Sequence, residues 1–432
     1  MGDVIIDGLT GANRLVVLDA NGKIPALDGS AVTNVAGANF STGTIPVARL
    51  DTGTTAGKIV KLDGNAKLPA VSGAALTGIV GATQSASDPT LSTNPSGGVG
   101  TEWQNTTSGE VYVCTDATAG ENIWKNVGEQ SGDISPVFGG LTYGYALGGR
   151  NAGGGAIDTI QKISFAAGTG NMTDVANLTV ARQDSKGSHS STHGYAMAGN
   201  GSEDITIDKH QFATTNNSTD VGDLTQRAPD SAPASSSTHG YLMGGYNGVN
   251  DDSQNVVQNF PFSSDTGSTD IGNLTRLSGS NSGHSDWTNQ YGYVTGGYGT
   301  AAGRVNIIDR VSFASGSQDA ADVGDLTQVT NANTGSSSAE HGYCMGGHNN
   351  SSATNVISRF AFASTANAAD VGDLLGSKYN GEGMSSTTHA YYMGASVSYL
   401  DTVERTAFAS SANGVDVGNL LVALAHLGGT EI

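Results

Sequence analysis

The sequence is poor in charge: 13% of its 432 residues are Asp, Glu, Lys or Arg, about half the usual share. That excludes a coiled coil or long-helix protein, which needs far more Glu, Lys and Arg. Basic residues are scarcest, 19 against 39 acidic, for a net charge of −20. A nucleic-acid partner or an anionic membrane surface would call for a basic face, and none is expected here. The acid is thinly spread and reads as solubility and self-repulsion. There are two cysteines, Cys114 and Cys344, in segments that look like different domains, so two free buried thiols are expected rather than a disulfide. No apolar run approaches 18 residues, so no membrane span is expected. The start, Met1 to Ile6, lacks a basic region and a cleavage site, and Ile6 stands where a myristoylation motif wants Ser or Thr. No GxSxG, HExxH or P-loop sequence occurs, so no common catalytic motif is available.

What the chain has in excess is glycine, 63 residues, roughly twice the usual share and without the three-residue period of collagen. With 37% hydrophobic residues it is too apolar for a disordered acidic chain. The expected class is all-β: many turns joining short strands in which small residues pack tightly.

Self-comparison gives the architecture. From about residue 135 one unit recurs six times, marked by a tyrosine close to glycine: Tyr145, Tyr195, Tyr241, Tyr293, Tyr343 and Tyr391. A phenylalanine follows: Phe165, Phe212, Phe262, Phe313, Phe362 and Phe408. The third mark reads D-[VI]-[GA]-[DN]-L and begins at Asp174, Asp220, Asp270, Asp322, Asp370 and Asp416. Successive tyrosines are 50, 46, 52, 50 and 48 residues apart. A small-residue stretch before each tyrosine suits a strand crowded near an axis, and three further short strands complete a unit of propeller-blade size.

The paired glycines after a hydrophobic strand, as in Met243-Gly-Gly245 and Met345-Gly-Gly347, resemble the kelch repeat, and Arg182 and Arg227 stand where that family often carries Arg. The kelch tryptophan is missing and D-V-G-D-L stands in its place. The resemblance implies a divergent six-bladed β-propeller over residues 131–432. The twelve residues after Leu420 match in number those that lead an interior unit to the end of its inner strand. The C-terminal segment is therefore expected to supply the innermost strand of the first blade, with residues 135–141 as competitor.

Residues 16–35 match residues 60–79 at an offset of 44. Their apolar steps of two or three residues are too short to bury a core alone. The stretches LDANGKIPALDGSAVTNV and TGTIPVARL are similar to segments of bacteriophage tail fibres and related virion proteins. That resemblance implies an extended, oligomerising stalk over residues 1–85, forming a homotrimer and attaching to other tail or virion proteins, with the protein in the virion after assembly in the host cytoplasm. Residues 86–130 read as a small β module with Trp103, Tyr112 and Trp124 as its minimal core; it is similar to modules of marine phage structural proteins.

His193, His239, His341 and His389 each precede a unit tyrosine, so one structural job, a turn hydrogen bond, is expected of all four. The motif aspartates are expected to form Asx turns. No metal set, cofactor or catalytic group is assigned, and the chain is expected not to be an enzyme. Recognition is expected where the units differ, in the loop after each Gly-Gly: Tyr246, Asn247, Asn250, Asp251, Asp252, Tyr298, His348, Asn349 and Tyr399 are the ligand candidates. Rings for apolar sugar faces beside amides for hydroxyls point to a host surface polysaccharide. A tail fibre with a receptor-binding head is the leading reading. A purely structural tail or capsid component is the alternative, and a polysaccharide depolymerase the third.

Overall fold

The computed structural model describes residues 81–120, 122–127, 140–199, 205–247, 252–288, 290–300, 302–313 and 319–432, with Ala20. The stalk-type repeats lie outside the described residues. Those described are all-β, with no helix among them.

Residues 83–126 form a four-stranded sheet of their own: Thr83–Ser85, Glu102–Asn105, Val111–Asp116 and Ile123–Asn126. The first pair is parallel and the other two are antiparallel. Tyr112, Cys114 and Trp124 are fully buried, with Trp103 packed against them. The two indoles meet edge-on at 5.8 Å. This is the small core read from the sequence; each such aromatic contributes about 2–3 kcal/mol on burial. Both cysteines are free and buried, as expected.

The six repeats fold as antiparallel meanders. In the third, Ala232–Ser235 pairs with His239–Met243, which pairs with Val256–Pro261, which pairs with Thr269–Asn273. Its second strand is almost wholly buried and its third alternates, as a strand covered on one or both faces requires. Gly244 and Gly245 end the second strand at φ +68° and +97°, a left-handed path that suits glycine. Repeats two to five are separate four-stranded sheets; the first and sixth share an eight-stranded one. There the C-terminal strand Gly428–Glu431 pairs with Tyr143–Asn151 of the first repeat. The expected closing strand is thus in place. Of its competitor, Gly140 makes one bridge to Ser386 in the sixth repeat; residues 135–139 are outside the described residues.

The inner strands touch in sequence: Lys186–His189, Ala232–Ser235, Ser282–Asp286, Thr334–Ser337, Glu382–Ser385, Gly428–Glu431, and then Lys186–His189 again. The circuit is made close by Gly187, Gly283, Gly335, Gly383 and Gly429. A Cβ added at any of them would overlap the carbonyl of the residue at the same place in the preceding inner strand. There the crowding foreseen from the small-residue stretches demands glycine.

The tyrosine and phenylalanine marks meet between repeats rather than within them. Tyr145 packs on Phe212, Tyr195 on Phe262, Tyr241 on Phe313, Tyr293 on Phe362 and Tyr343 on Phe408, with centroids 4.4–5.0 Å apart. Tyr391 of the sixth repeat packs on Phe165 of the first at 4.9 Å. Each repeat lends its ring to the next, and the sixth lends to the first. Polar links run the same way. The amides of Thr179, Thr225, Thr275, Leu375 and Leu421 donate to Asp208, Gln258, Asp309, Glu404 and Gln161 of the following repeat, at 2.7–3.2 Å. Arg182 and Arg276 add ion pairs to Asp208 and Asp309 at 3.1 and 2.9 Å.

The aspartates of five motifs accept from the amide two residues on, at 3.0–3.2 Å, from Asp220 to Gly222 through Asp416 to Gly418. The Asx reading holds for these. Three of the four recurring histidines bond through Nδ1 to the preceding threonine, as His193 does with Thr192 at 2.8 Å. In His341 the turn bond is made by the backbone amide, which donates to Ser338 at 3.0 Å.

Candidate functional site

A meander places the loop after Gly-Gly at the same end of its sheet as the connection to the next repeat, and the structure interlocks the two. Gly245 donates to Ser278 at 2.9 Å. The Tyr246 ring lies over Gly279, and its hydroxyl is 3.3 Å from Ser280 Oγ. Asn247 donates its amide to the Asp252 carbonyl at 3.0 Å; Asn250 and Asp251 lie outside the described residues.

From there a band of contacts leads across three repeats. Tyr298 exchanges backbone bonds with Gly279 at 2.8 and 2.9 Å, and Ser253 meets Thr300 at 2.9 Å. The Arg304 guanidinium lies 5.9 Å from the Tyr298 ring centre and donates to Asn331 Oδ1 at 2.7 Å. Asn331 exchanges backbone bonds with His348 at 2.8 and 3.2 Å, and His348 meets Tyr379 edge-on at 5.7 Å. Asn349 caps its own turn, accepting from Ser351 and Ser352 at 2.8 and 2.9 Å. Tyr246, Asn247, Asp252, Tyr298, His348 and Asn349 thus share one band at the joints between repeats three, four and five. Tyr399 stands in another loop, where it and Ser398 take left-handed φ of 47° and 63°. Arg304 and Tyr379 belong to the band and were not foreseen; an Arg and a Tyr in loops carry no sequence signal beyond their neighbours'.

A second group lies where each connection turns into the inner strand. Asp184, Asp230, Ser280, Ala332, Asn380 and His426 all have φ between 53° and 58°. Their backbones are linked: Ala332 donates to Ser280, Asn380 to Ala332, His426 to Asn380 and Asp184 to His426, at 2.7–2.9 Å. Five of the six are thus clasped to one another by main-chain bonds, and Asp230 accepts instead from Asn281 at 3.4 Å, which leaves the six side chains free to differ.

Three of those side chains converge. A ligand atom from each of Asp184, Asp230 and His426 lies within 4.8 Å of the others. His426 Nδ1 is paired with Asp184, and its Nε2 is 3.1 Å from Ser396 Oγ. They stand by a small polar cavity, with room for about one water molecule, that Lys186, Asp230, Asn281, Asn333, Asn380 and His426 line. Burial, and then the neighbouring Asp184, push the Asp230 carboxyl up to about 7. Burial works against the His426 imidazolium, but the bond to Asp184 outweighs it and raises the group above the ordinary range. Further along the inner strands Lys186 pairs with Glu382 at 2.9 Å. Burial pushes the Glu431 carboxyl up to about 8 and holds His189 and His284 down at about 4. None of these residues was singled out from the sequence.

The loop band offers rings, amides and one guanidinium, a set for stacking and hydrogen bonding. The inner group offers two carboxylates and an imidazole, a set for protons or a cation. Comparison of the chain with protein-family models and with curated proteins gives no match.

Proposed function

We propose that the chain is a bacteriophage tail fibre or similar virion appendage, with residues 1–85 as an oligomerising stalk and residues 131–432 as a six-bladed, kelch-like β-propeller head that binds host surface polysaccharide. The propeller reading is supported by six tyrosine–phenylalanine pairs that run from each repeat to the next and return from the sixth to the first. The stalk reading rests on the fibre-type stretches of residues 16–35 and 60–79.

The observation that carries the binding reading is the loop band. Tyr246, Tyr298, His348 and Tyr379 sit at successive joints with Asn247, Asn331 and Asn349 between them. A saccharide stacks its apolar face on a ring and gives its hydroxyls to amides, and each such site is weak. Trimerisation of the stalk would present three heads together, and avidity would supply the strength of attachment.

The test is adsorption of phage to host cells in competition with purified full-length chain. Competition by the wild-type chain, lowered tenfold or more in Tyr246→Ala and Tyr298→Ala, is the expected result. No competition, with the loop band buried against other subunits in a virion reconstruction, overturns it in favour of a structural component. Release of reducing ends from the polysaccharide would replace it with a depolymerase.

A further inference from the structure

We propose that Asp184, Asp230 and His426 form a site for one divalent transition-metal ion of the zinc class, and that the ion staples the C-terminal segment to the first two connections between repeats. The three residues come from three separate stretches of chain, yet their ligand atoms fall within 4.8 Å of one another. One imidazole nitrogen with two carboxylate oxygens is a donor set that suits zinc and its neighbours rather than calcium or magnesium, which prefer oxygen alone. The backbone clasp fixes the positions of Asp184 and His426 through the 2.7 Å bond between them.

Two features distinguish this from an ordinary group of surface acids. The Asp230 carboxylate has no hydrogen-bond donor among the described residues, although Asp184 next to it is paired with His426. Asn333, 5% exposed, lines the same cavity with an Oδ1 that has no partner. An ion bound to the carboxylates, with water in the cavity completing its shell, would occupy both. His426 is oriented for the role. Its Nδ1 faces Asp184 and would give up to the metal the proton the two share, while Nε2 lies 3.1 Å from both Asn380 Nδ2 and Ser396 Oγ. On metal binding Ser396 Oγ would accept from Nε2–H, an outer support of the kind ligand histidines use. Lys186 lies at the same cavity, but its ammonium is held by Glu382 at 2.9 Å.

The experiment uses the full-length chain, stripped with chelator and titrated with zinc chloride by calorimetry and thermal unfolding. One saturable equivalent and a rise of several degrees in the unfolding midpoint are expected, since an ion bound only by the folded state stabilises it. Both should be lost in Asp230→Asn and in His426→Gln. Cobalt, added in place of zinc to the wild-type chain, should give a visible absorption band that excess zinc removes, a readout that needs no variant. Absence of saturable binding overturns the proposal. So does an equal response in wild type and both variants, which would assign the ion to the acidic surface at large.

Discussion

Two sets of six positions recur through the repeats and obey opposite rules. At the joints the residues are the same every time, tyrosine packed on phenylalanine at 4.4–5.0 Å. At the left-handed positions they are Asp184, Asp230, Ser280, Ala332, Asn380 and His426, with Asp repeated once and four other residue types. The first set is held by side chains, so its chemistry cannot drift without opening a joint. The second is held by main-chain bonds, so only the backbone shape is fixed. Where a repeat uses its backbone for structure, it frees a side chain for something else.

The largest break in that comparison should come from the backbone approach at the inner strands. Gly335→Val puts a side chain into the carbonyl of Gly283; we expect a loss of more than about 4 kcal/mol or outright failure to fold, read by denaturant unfolding. Phe165→Ala removes the ring on which Tyr391 packs across the first–sixth joint. It should cost about 3 kcal/mol, and Phe262→Ala at an interior joint should cost a similar amount if the joints are equivalent. A much smaller loss for Phe165→Ala would mean that this joint is looser than the rest.

Acid–base behaviour probes the inner strands from both sides. The Glu431 carboxyl, raised to about 8, stabilises the fold below its unfolded value near 4.5, and that contribution is lost as pH climbs through 8. His189 and His284, lowered to about 4, contribute above about 6.5 and lose that contribution as pH falls through 4. The unfolding midpoint should therefore decline on both sides of a maximum, and Glu431→Gln should flatten the alkaline side. An unchanged alkaline side in that variant would show that Glu431 does not titrate there. The smallest effect concerns Ala332, which holds φ +54° without a polar side chain to support it. Ala332→Gly should be neutral or stabilise by up to about 1 kcal/mol, because relief of left-handed strain offsets the added freedom of the unfolded chain. A loss there would mean that its methyl group packs.

Much of this was legible in the sequence. The small-residue stretches gave the inner strands, the Gly-Gly pairs the ends of the second strands, and the twelve residues after Leu420 the closing strand. The pairing of Tyr145 with Phe212 rather than with Phe165 was not legible, because a period of about 50 residues is the same whether a ring packs within its own repeat or on the next. The left-handed positions did leave a trace: each stands six residues after the motif leucine, from Leu178 and Asp184 to Leu420 and His426. It was missed because repeats are found by what they share, and here they share a conformation while the residues differ. The convergence of Asp184, Asp230 and His426 needed the return of the chain to its first repeat, 242 residues from Asp184 to His426, which no local pattern encodes.

The loan of each aromatic ring to the following repeat means that no repeat holds a finished core by itself. A repeat cut from the chain would keep an orphan tyrosine on one flank and an orphan phenylalanine on the other. Cutting the turn between Ser364 and Ala366, say, and tethering the present ends through a linker would by contrast keep every pair. The units should thus melt together or not at all, and the place where the chain starts should matter less to the fold than the fact that it returns.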